Sequence, residues 1–341
     1  MKLLILATLA LLLAACGRPA PHGQESYVFG TRVEVLVWGE PEDKARAAGA
    51  AVLREFDRLH RDYHAWQPSG MTALNEAIAA GRPHDVSPEF AGFIRDAQAA
   101  AARGEHLFDP GIGRLIELWG FHDDSFKPRL PDAARLDELI EARPSIANLS
   151  LDGNTVQSDN KAVALDFGGY LKGVALDRAA AALKASGIAN ALINIGGNVL
   201  ALGAKGDTPW RVGIQHPRQG APLATLALRD GEAIGTSGDY QRYFELDGKR
   251  YCHLIDPRTG RPSAATEAVT VLIPPGPQAG MWSDVASKPL FIAGPDWRRL
   301  ADKLGTRQVL RVDDTGRIEV TAAFRQRLEF ADAKTAVVVL P

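Results

Sequence analysis

The sequence predicts an α+β fold, with an antiparallel sheet and flanking helices. Apolar residues recur at helical spacing mainly in the first half of the chain, and short β-rich runs crowd the second half. A Leu246-Asp247-Gly248-Lys249 turn joins two of those runs as a hairpin, a connection made between antiparallel strands. Helices come early and hairpins late, a mixed order that fits α+β.

Met1-Lys2 opens the chain with a positive charge. The run Leu3 to Ala15 is apolar, uncharged and too short for a membrane span of about 20 residues. Residues 1–15 read as a secretory signal. The end of that run, Leu13-Ala14-Ala15-Cys16, resembles the bacterial lipoprotein box. Cys16 is therefore expected to carry lipid and to anchor an exported protein to a bacterial membrane, facing the periplasm. Gly17 follows it, so no Asp argues for retention at the inner membrane. Residues 17–26 read as a flexible tether and residues 27–341 as one domain. With Cys16 acylated, Cys252 has no disulfide partner, and the domain must fold on its core alone. Lys and Arg number 39 against 41 Asp and Glu, a formal net charge of −2. That balance excludes a nucleic-acid binder, and no second apolar run is long enough to span a membrane.

Along the chain, Tyr27 to Val37 alternates as a strand, interrupted near its start by Phe29-Gly30-Thr31. Pro41 to His60 carries Ala47, Ala51, Phe56 and Leu59 at helical spacing. Ser87 to Arg103 is a helix with Ser87 as N-cap, Pro88 in the first turn and Gly104 as its stop. Leu130 to Ala142 is helical, Val156 and Ala162 to Phe167 mark short strands, and Gly173 to Ser186 is an Ala-rich helix. A strand over Ala191 to Ile195 runs into Gly196-Gly197-Asn198. Further strands are expected at 210–215, 223–228, 233–236, 243–246, 251–255 and 269–273. A helix over Gly280 to Lys288 leads into a buried strand or helix through Ile292.

Chemistry concentrates where glycines meet charge. Tyr251 to Gly260 packs His253, Asp256, Arg258 and Thr259 into a turn set by Pro257 and Gly260. It reads as an active-site turn or as a hairpin exit capped by Asp256. In Leu165 to Gly173, Asp166, Gly168-Gly169 and Lys172 stand immediately before a helix. The amides there make an anion site; the alternative is a strand-to-helix turn with Asp166 capping and Lys172 solvated. Phe108-Asp109-Pro110-Gly111-Ile112-Gly113 is Gly-rich and precedes Leu118-Trp119-Gly120-Phe121. Asn194-Ile195-Gly196-Gly197-Asn198 lets a backbone approach a ligand, or simply bends. Thr236-Ser237-Gly238-Asp239-Tyr240 offers hydroxyls for phosphate or ring contacts, or a polar turn. No dinucleotide fingerprint, Walker loop or Ser nucleophile elbow is present, and the adjacent Cys252 and His253 lack the spaced partners of a zinc site.

In order, these segments resemble the ApbE family of FAD:protein FMN transferases. The match begins at Phe29-Gly30-Thr31, where the family usually has Met-Gly-Thr. It runs through the segments above and ends at Ser283-Asp284-Val285-Ala286. The resemblance implies an enzyme that binds FAD, cuts its pyrophosphate and transfers FMN to a threonine hydroxyl of a membrane redox protein, releasing AMP. Implied acceptors are subunits of sodium- or proton-linked quinone reductases, or a nitrous oxide reductase maturation protein. FAD contacts are implied for Phe29, Leu107, Phe108, Asp109, Asp166, Lys172, Ser237 and Ile255, with Trp66 or, in competition, Tyr63 covering the isoalloxazine. His253 is the natural base for the acceptor hydroxyl, because an unperturbed histidine titrates at about 6.5.

The family pattern also implies Mg2+, held by an Asp, a Thr four residues later and a carbonyl in the double-glycine turn. Here the Asp is Asp284 and the carbonyl falls on Gly169, but the Thr position is Lys288, followed by Pro289. A protonated lysine cannot ligate a metal. Lys288 either places its ammonium where the metal would sit, paired with Asp284 across one helical turn, or points outward with water in place of the Thr. Two other functions would use the same site. One is a metal-dependent FAD pyrophosphatase releasing FMN and AMP; the other is a non-catalytic periplasmic flavin carrier or assembly factor.

Overall fold

The computed structural model describes residues 20–123 and 127–341. The signal segment 1–15, Cys16 and residues 17–19 of the tether lie outside the described residues.

A nine-stranded sheet forms the middle layer, as an α+β chain requires. Its order is His22–Val28, Thr31–Val37, Ala191–Ile195, Asn198–Leu202, Ala233–Gly238, Thr266–Ile273, Val309–Asp313, Ile318–Thr321 and Val337–Leu340. Only the last pair is parallel. On one face, Val33, Val35, Ile193, Ile195, Leu200 and Leu202 pack under the helices Glu42–Asp62 and Leu171–Ala185. The same face continues as Val269, Val271 and Val309 under the helices Ala279–Ala293 and Trp297–Leu304. The opposite residues Val199, Ala201, Ile234, Leu272 and Leu310 pack against a small sheet made of Trp210–Gln215, Pro222–Leu228 and Glu329–Phe330. With both faces covered, every residue of Asn198–Leu202 is buried.

Local chemistry explains the helices. Ala45, Ala48, Val52, Phe56 and Leu59 repeat every three or four residues and form the buried stripe of Glu42–Asp62. Ser87 caps Pro88–Arg103 by accepting from the Phe90 amide at 3.1 Å.

Several expectations shift. Tyr27 to Val37 is not one strand: Phe29 and Gly30 adopt φ of +57° and +67° and reverse the chain. His22–Val28 then pairs with Thr31–Val37, so residues 22–26 of the expected tether belong to the sheet. Positive φ at both central residues is the tightest hairpin geometry, and it strains a residue as bulky as Phe29. Ala162 to Phe167 forms no strand beyond one bridge between Ile112 and Ala164. Its backbone bonds instead to Gly111, Pro110 and the Asn75 side chain. The helix Gly70–Ala79 has no counterpart in the sequence reading; its capping box uses Thr72 in place of the usual Glu or Gln. The helix at Ala279–Ala293 continues through Pro289.

The register collects turns at one end of the sheet. Val28 faces Thr31 across the first turn, and the Gly196 amide bonds Arg32 O beside it. Ala233 pairs with Leu200, so Thr236 to Gly238 run on toward that same end. The Gly196-Gly197 segment is a two-residue hairpin turn between Ile195 and Asn198.

Two helices then meet closely enough to build a site. A Cβ on Gly173 would stand 2.6 Å from Gly280 O, and one on Gly280 would stand 2.6 Å from Gly173 O. Asp177 accepts from the Gly280 and Met281 amides at 2.7 and 2.8 Å and so caps the second helix from the first. Gly173→Ala should lower stability by about 1–3 kcal/mol through overpacking. A fall in Tm by calorimetry would bear this out; an unchanged Tm would show that the crossing has room.

Candidate active site

The Gly173–Gly280 crossing brings the N-terminus of Leu171–Ala185 against the first turns of Ala279–Ala293. Asp284 Oδ2 accepts from the Gly173 amide at 3.0 Å, which satisfies one of the free amides of that helix start. Its other oxygen, Oδ1, accepts from Lys288 Nζ at 2.6 Å. Lys288 Nζ also donates to the Asp284 carbonyl at 2.6 Å. The Asp284 side chain is 1% exposed and that of Lys288 13%. Burial pushes the Asp284 carboxyl up, but the charges of Lys288 and Lys172 and the bond from Lys288 outweigh it and hold it below the usual range. The Lys288 stem lies directly over Gly169, where a Cβ would come within 2.5 Å of Cε.

Lys288 thus turns inward and takes the place of the expected Thr ligand. Magnesium demands oxygen ligands at about 2.0–2.1 Å, and the Asp284 carbonyl and Oδ1 already receive N–H groups from Lys288, which stands where the Thr oxygen would be. No group of three or more metal-binding side chains exists among the described residues. The residues present do not fit a magnesium site built on Gly169, Asp284 and Lys288.

His253 stands across from this corner, half-buried. The Asp247-Gly248 hairpin pairs Tyr243 with Cys252, and continuing that register places Arg242 opposite His253. The His253 amide bonds Arg242 O at 3.0 Å, and Nδ1 lies 3.2 Å from the same carbonyl. A carbonyl only accepts, so Nδ1 carries the proton and Nε2 keeps its lone pair. Burial first, then the charges of Arg242, Lys172 and Lys288, push the imidazole down to about 3. Nothing in the sequence reading flagged Arg242, although the hairpin register implies its position. Among the described residues Lys172 makes no hydrogen bond or ion pair, while its charge reaches His253, Asp284 and Lys288.

Asp166 closes the third side. Its Oδ1 accepts from the Gly168 amide at 2.7 Å, which tightens the double-glycine turn. Burial raises its carboxyl, opposed by the Gly168 bond, the Arg242 charge and a bond from Trp66. Trp66 therefore joins this edge, and its ring also meets His122 at 5.7 Å. Tyr63, its competitor, belongs to the core: its hydroxyl donates to Glu89, and its ring packs on Phe90 and Phe93. Phe29 lies half-buried on Phe56 and His60, its turn at the sheet end described above.

Other expected contacts have their functional groups spent internally. Asp109 accepts from the amides of Gly111 and Ile146, both at 2.8 Å, and from Ser145, so it anchors a loop behind the site. That loop holds Phe108, whose ring edge lies 3.4 Å from the Gly169 Cβ position. Ser237 Oγ pairs with Ser287 Oγ at 2.8 Å between sheet and helix. Leu107 and Ile255 are buried in separate apolar clusters. The turn beyond His253 is a hairpin: Ile255–Asp256 pairs with Arg261–Pro262, the Asp256 carboxylate accepts from the Arg258 guanidinium, and the Asp256 carbonyl accepts from the Thr259 and Gly260 amides. Of that turn's polar residues, only His253 is turned toward the cationic corner.

The depressed imidazole has a measurable cost. The unfolded chain takes its proton at about 6.5, whereas the folded imidazole takes it only at about 3. Protonation between those values favours the unfolded chain, so stability is lost as pH falls through that window. In urea titrations at about pH 7 and about pH 5, His253→Gln should lose less stability than the unaltered chain. Equal losses would refute the half-buried, neutral assignment.

Residues 29–310 match the ApbE family. The chain is 44% identical over 329 residues to an FAD:protein FMN transferase of Rhodobacter capsulatus, covering 95% of this chain and 62% of that one. It thus spans less than two thirds of that relative's length. It is 30% identical over 338 residues to the FAD:protein FMN transferase of Vibrio cholerae, covering 95% and 97%. Among solved structures, the ApbE protein of Thermotoga maritima matches with a TM-score of 0.82 at 30% identity, over 90% of this chain and 99% of that one. The flavin transferase ApbE of Vibrio cholerae, in a histidine-to-glycine mutant form, matches with a TM-score of 0.78 at 26% identity, over 90% and 99%. A family match over most of the chain, joined to a shared architecture, establishes that this chain belongs to the ApbE family.

Proposed function

We propose that this chain is an FAD:protein FMN transferase that attaches FMN to a threonine hydroxyl of a membrane redox protein. The observation that carries the reading is the meeting of a neutral imidazole, His253, with the charges of Lys172, Arg242 and Lys288 beside a glycine turn at a helix start. Such a corner suits a pyrophosphate, whose charge must be balanced while a P–O bond breaks.

In the proposed step the threonine oxygen attacks the FMN-side phosphorus. The hydroxyl proton passes to His253 Nε2, the bridging P–O bond breaks, and AMP leaves with its electron pair. FMN remains as a phosphoester. Lys172 and Lys288 hold the phosphoryl oxygens, Asp166 and Trp66 bound the flavin side, and Phe108 backs the Gly169 turn. Leu107, Asp109, Ser237 and Ile255 support these groups from behind. The N-terminal reading, an exported lipoprotein anchored through Cys16 and facing the periplasm, fits an acceptor in a membrane complex.

Incubating the enzyme with FAD and an acceptor domain carrying the target threonine should yield a covalent flavin adduct by mass. Free FMN without an adduct would convert the reading to a pyrophosphatase, and intact FAD would convert it to a carrier. His253→Ala should lower turnover by about 10²–10⁴-fold while FAD affinity stays nearly constant. An unchanged rate would remove His253 from the role of base.

A further inference from the structure

We infer that the Lys288 ammonium replaces the divalent cation in this chain, so that phosphoryl transfer here proceeds with no metal bound at Asp284. The inference rests on the transferase reading. It begins with the misfit between the residues and magnesium, and three observations carry it further.

The first is position. The Lys288 ammonium is held by two acceptors, Asp284 Oδ1 and the Asp284 carbonyl, each at 2.6 Å. Its stem lies against Gly169, so the ammonium occupies the corner between the carboxylate and the double-glycine turn. The second is donor count. An ammonium has three N–H groups, and these two bonds use two of them. The third is left for an incoming oxygen. A divalent ion there would instead have to strip the lysine of its carboxylate partner and leave a buried cation unpaired, which is strongly unfavourable.

The third observation is charge. The Asp284–Lys288 pair is neutral, one unit less positive than an Asp284–divalent ion pair would be. Lys172 supplies the missing unit: it makes no ion pair among the described residues, and its charge reaches both members of the pair. Lys172, Lys288 and Asp284 together thus carry the single net positive charge that a divalent ion and Asp284 would carry.

The test uses the full chain, FAD and an acceptor domain with its target threonine, and two readouts. Mn2+, a paramagnetic stand-in for Mg2+, is titrated by electron paramagnetic resonance in the presence of FAD. Adduct formation is followed with and without EDTA. The unaltered chain should bind no Mn2+ at stoichiometric level, and its rate should change by less than about twofold on chelation. Lys288→Thr should bind one Mn2+ per chain and lose at least about 10-fold in rate when chelated. Stoichiometric Mn2+ on the unaltered chain, or collapse of its rate in EDTA, overturns the inference. If no adduct forms under any condition, the transferase reading fails, while the Mn2+ titration still decides whether the ammonium excludes the ion. Lys288→Arg keeps the charge in a larger group and should also exclude Mn2+; binding there would count against an ammonium-filled corner.

Discussion

The site depends on one bond, that between the Asp284 carboxylate and the Gly173 amide, made where two helices cross with no side chain between them. The crossing needs glycine on both sides, because a Cβ on either would fall 2.6 Å from the opposite carbonyl. That closeness lets Asp284 reach the start of the other helix, and Lys288 follows it one turn later toward Gly169. Asp177 ties the same pair in the reverse direction, capping the start of Ala279–Ala293. The two capping carboxylates fix both the separation and the sliding of the helices. The cationic corner is therefore rigid before any ligand arrives, which removes ordering cost from binding.

Much of this was legible in the residues. Ser87 and Gly104 mark their helix because capping is local chemistry, and Asp247-Gly248 marks its hairpin for the same reason. The i, i+4 spacing of Asp284 and Lys288 already placed the two on one helix face, and the pair is made. What escaped was long-range. The carboxylate of Asp109 looks like a ligand until Ser145 and Ile146, far along the chain, are seen to consume it. Gly173 read as the start of a helix rather than as half of a crossing, since its partner lies more than a hundred residues away. Arg242 was recoverable in principle from the hairpin register, but an arginine just before a strand carries no local signal of its own. The Phe29-Gly30 reversal was hidden because Phe at positive φ breaks the propensity rule.

The electrostatics of the site look unfavourable to catalysis at first. A base held down to about 3 accepts protons poorly, and the charges of Arg242, Lys172 and Lys288 all contribute to that depression after burial. The same charges are what a pyrophosphate would pair with. A bound dianion would cancel their push on the imidazole, so His253 would gain basicity when the phosphates are present and a hydroxyl is ready to attack. Desolvation would persist, and the Nδ1 bond to Arg242 O would still fix the tautomer. On this reasoning base strength belongs to the loaded site rather than to the histidine, and burial of His253 protects an unloaded enzyme from holding an active base against water. The arrangement also explains why the cations come from three different elements: each lies within electrostatic reach of His253, yet only an anion placed among them quiets all three together.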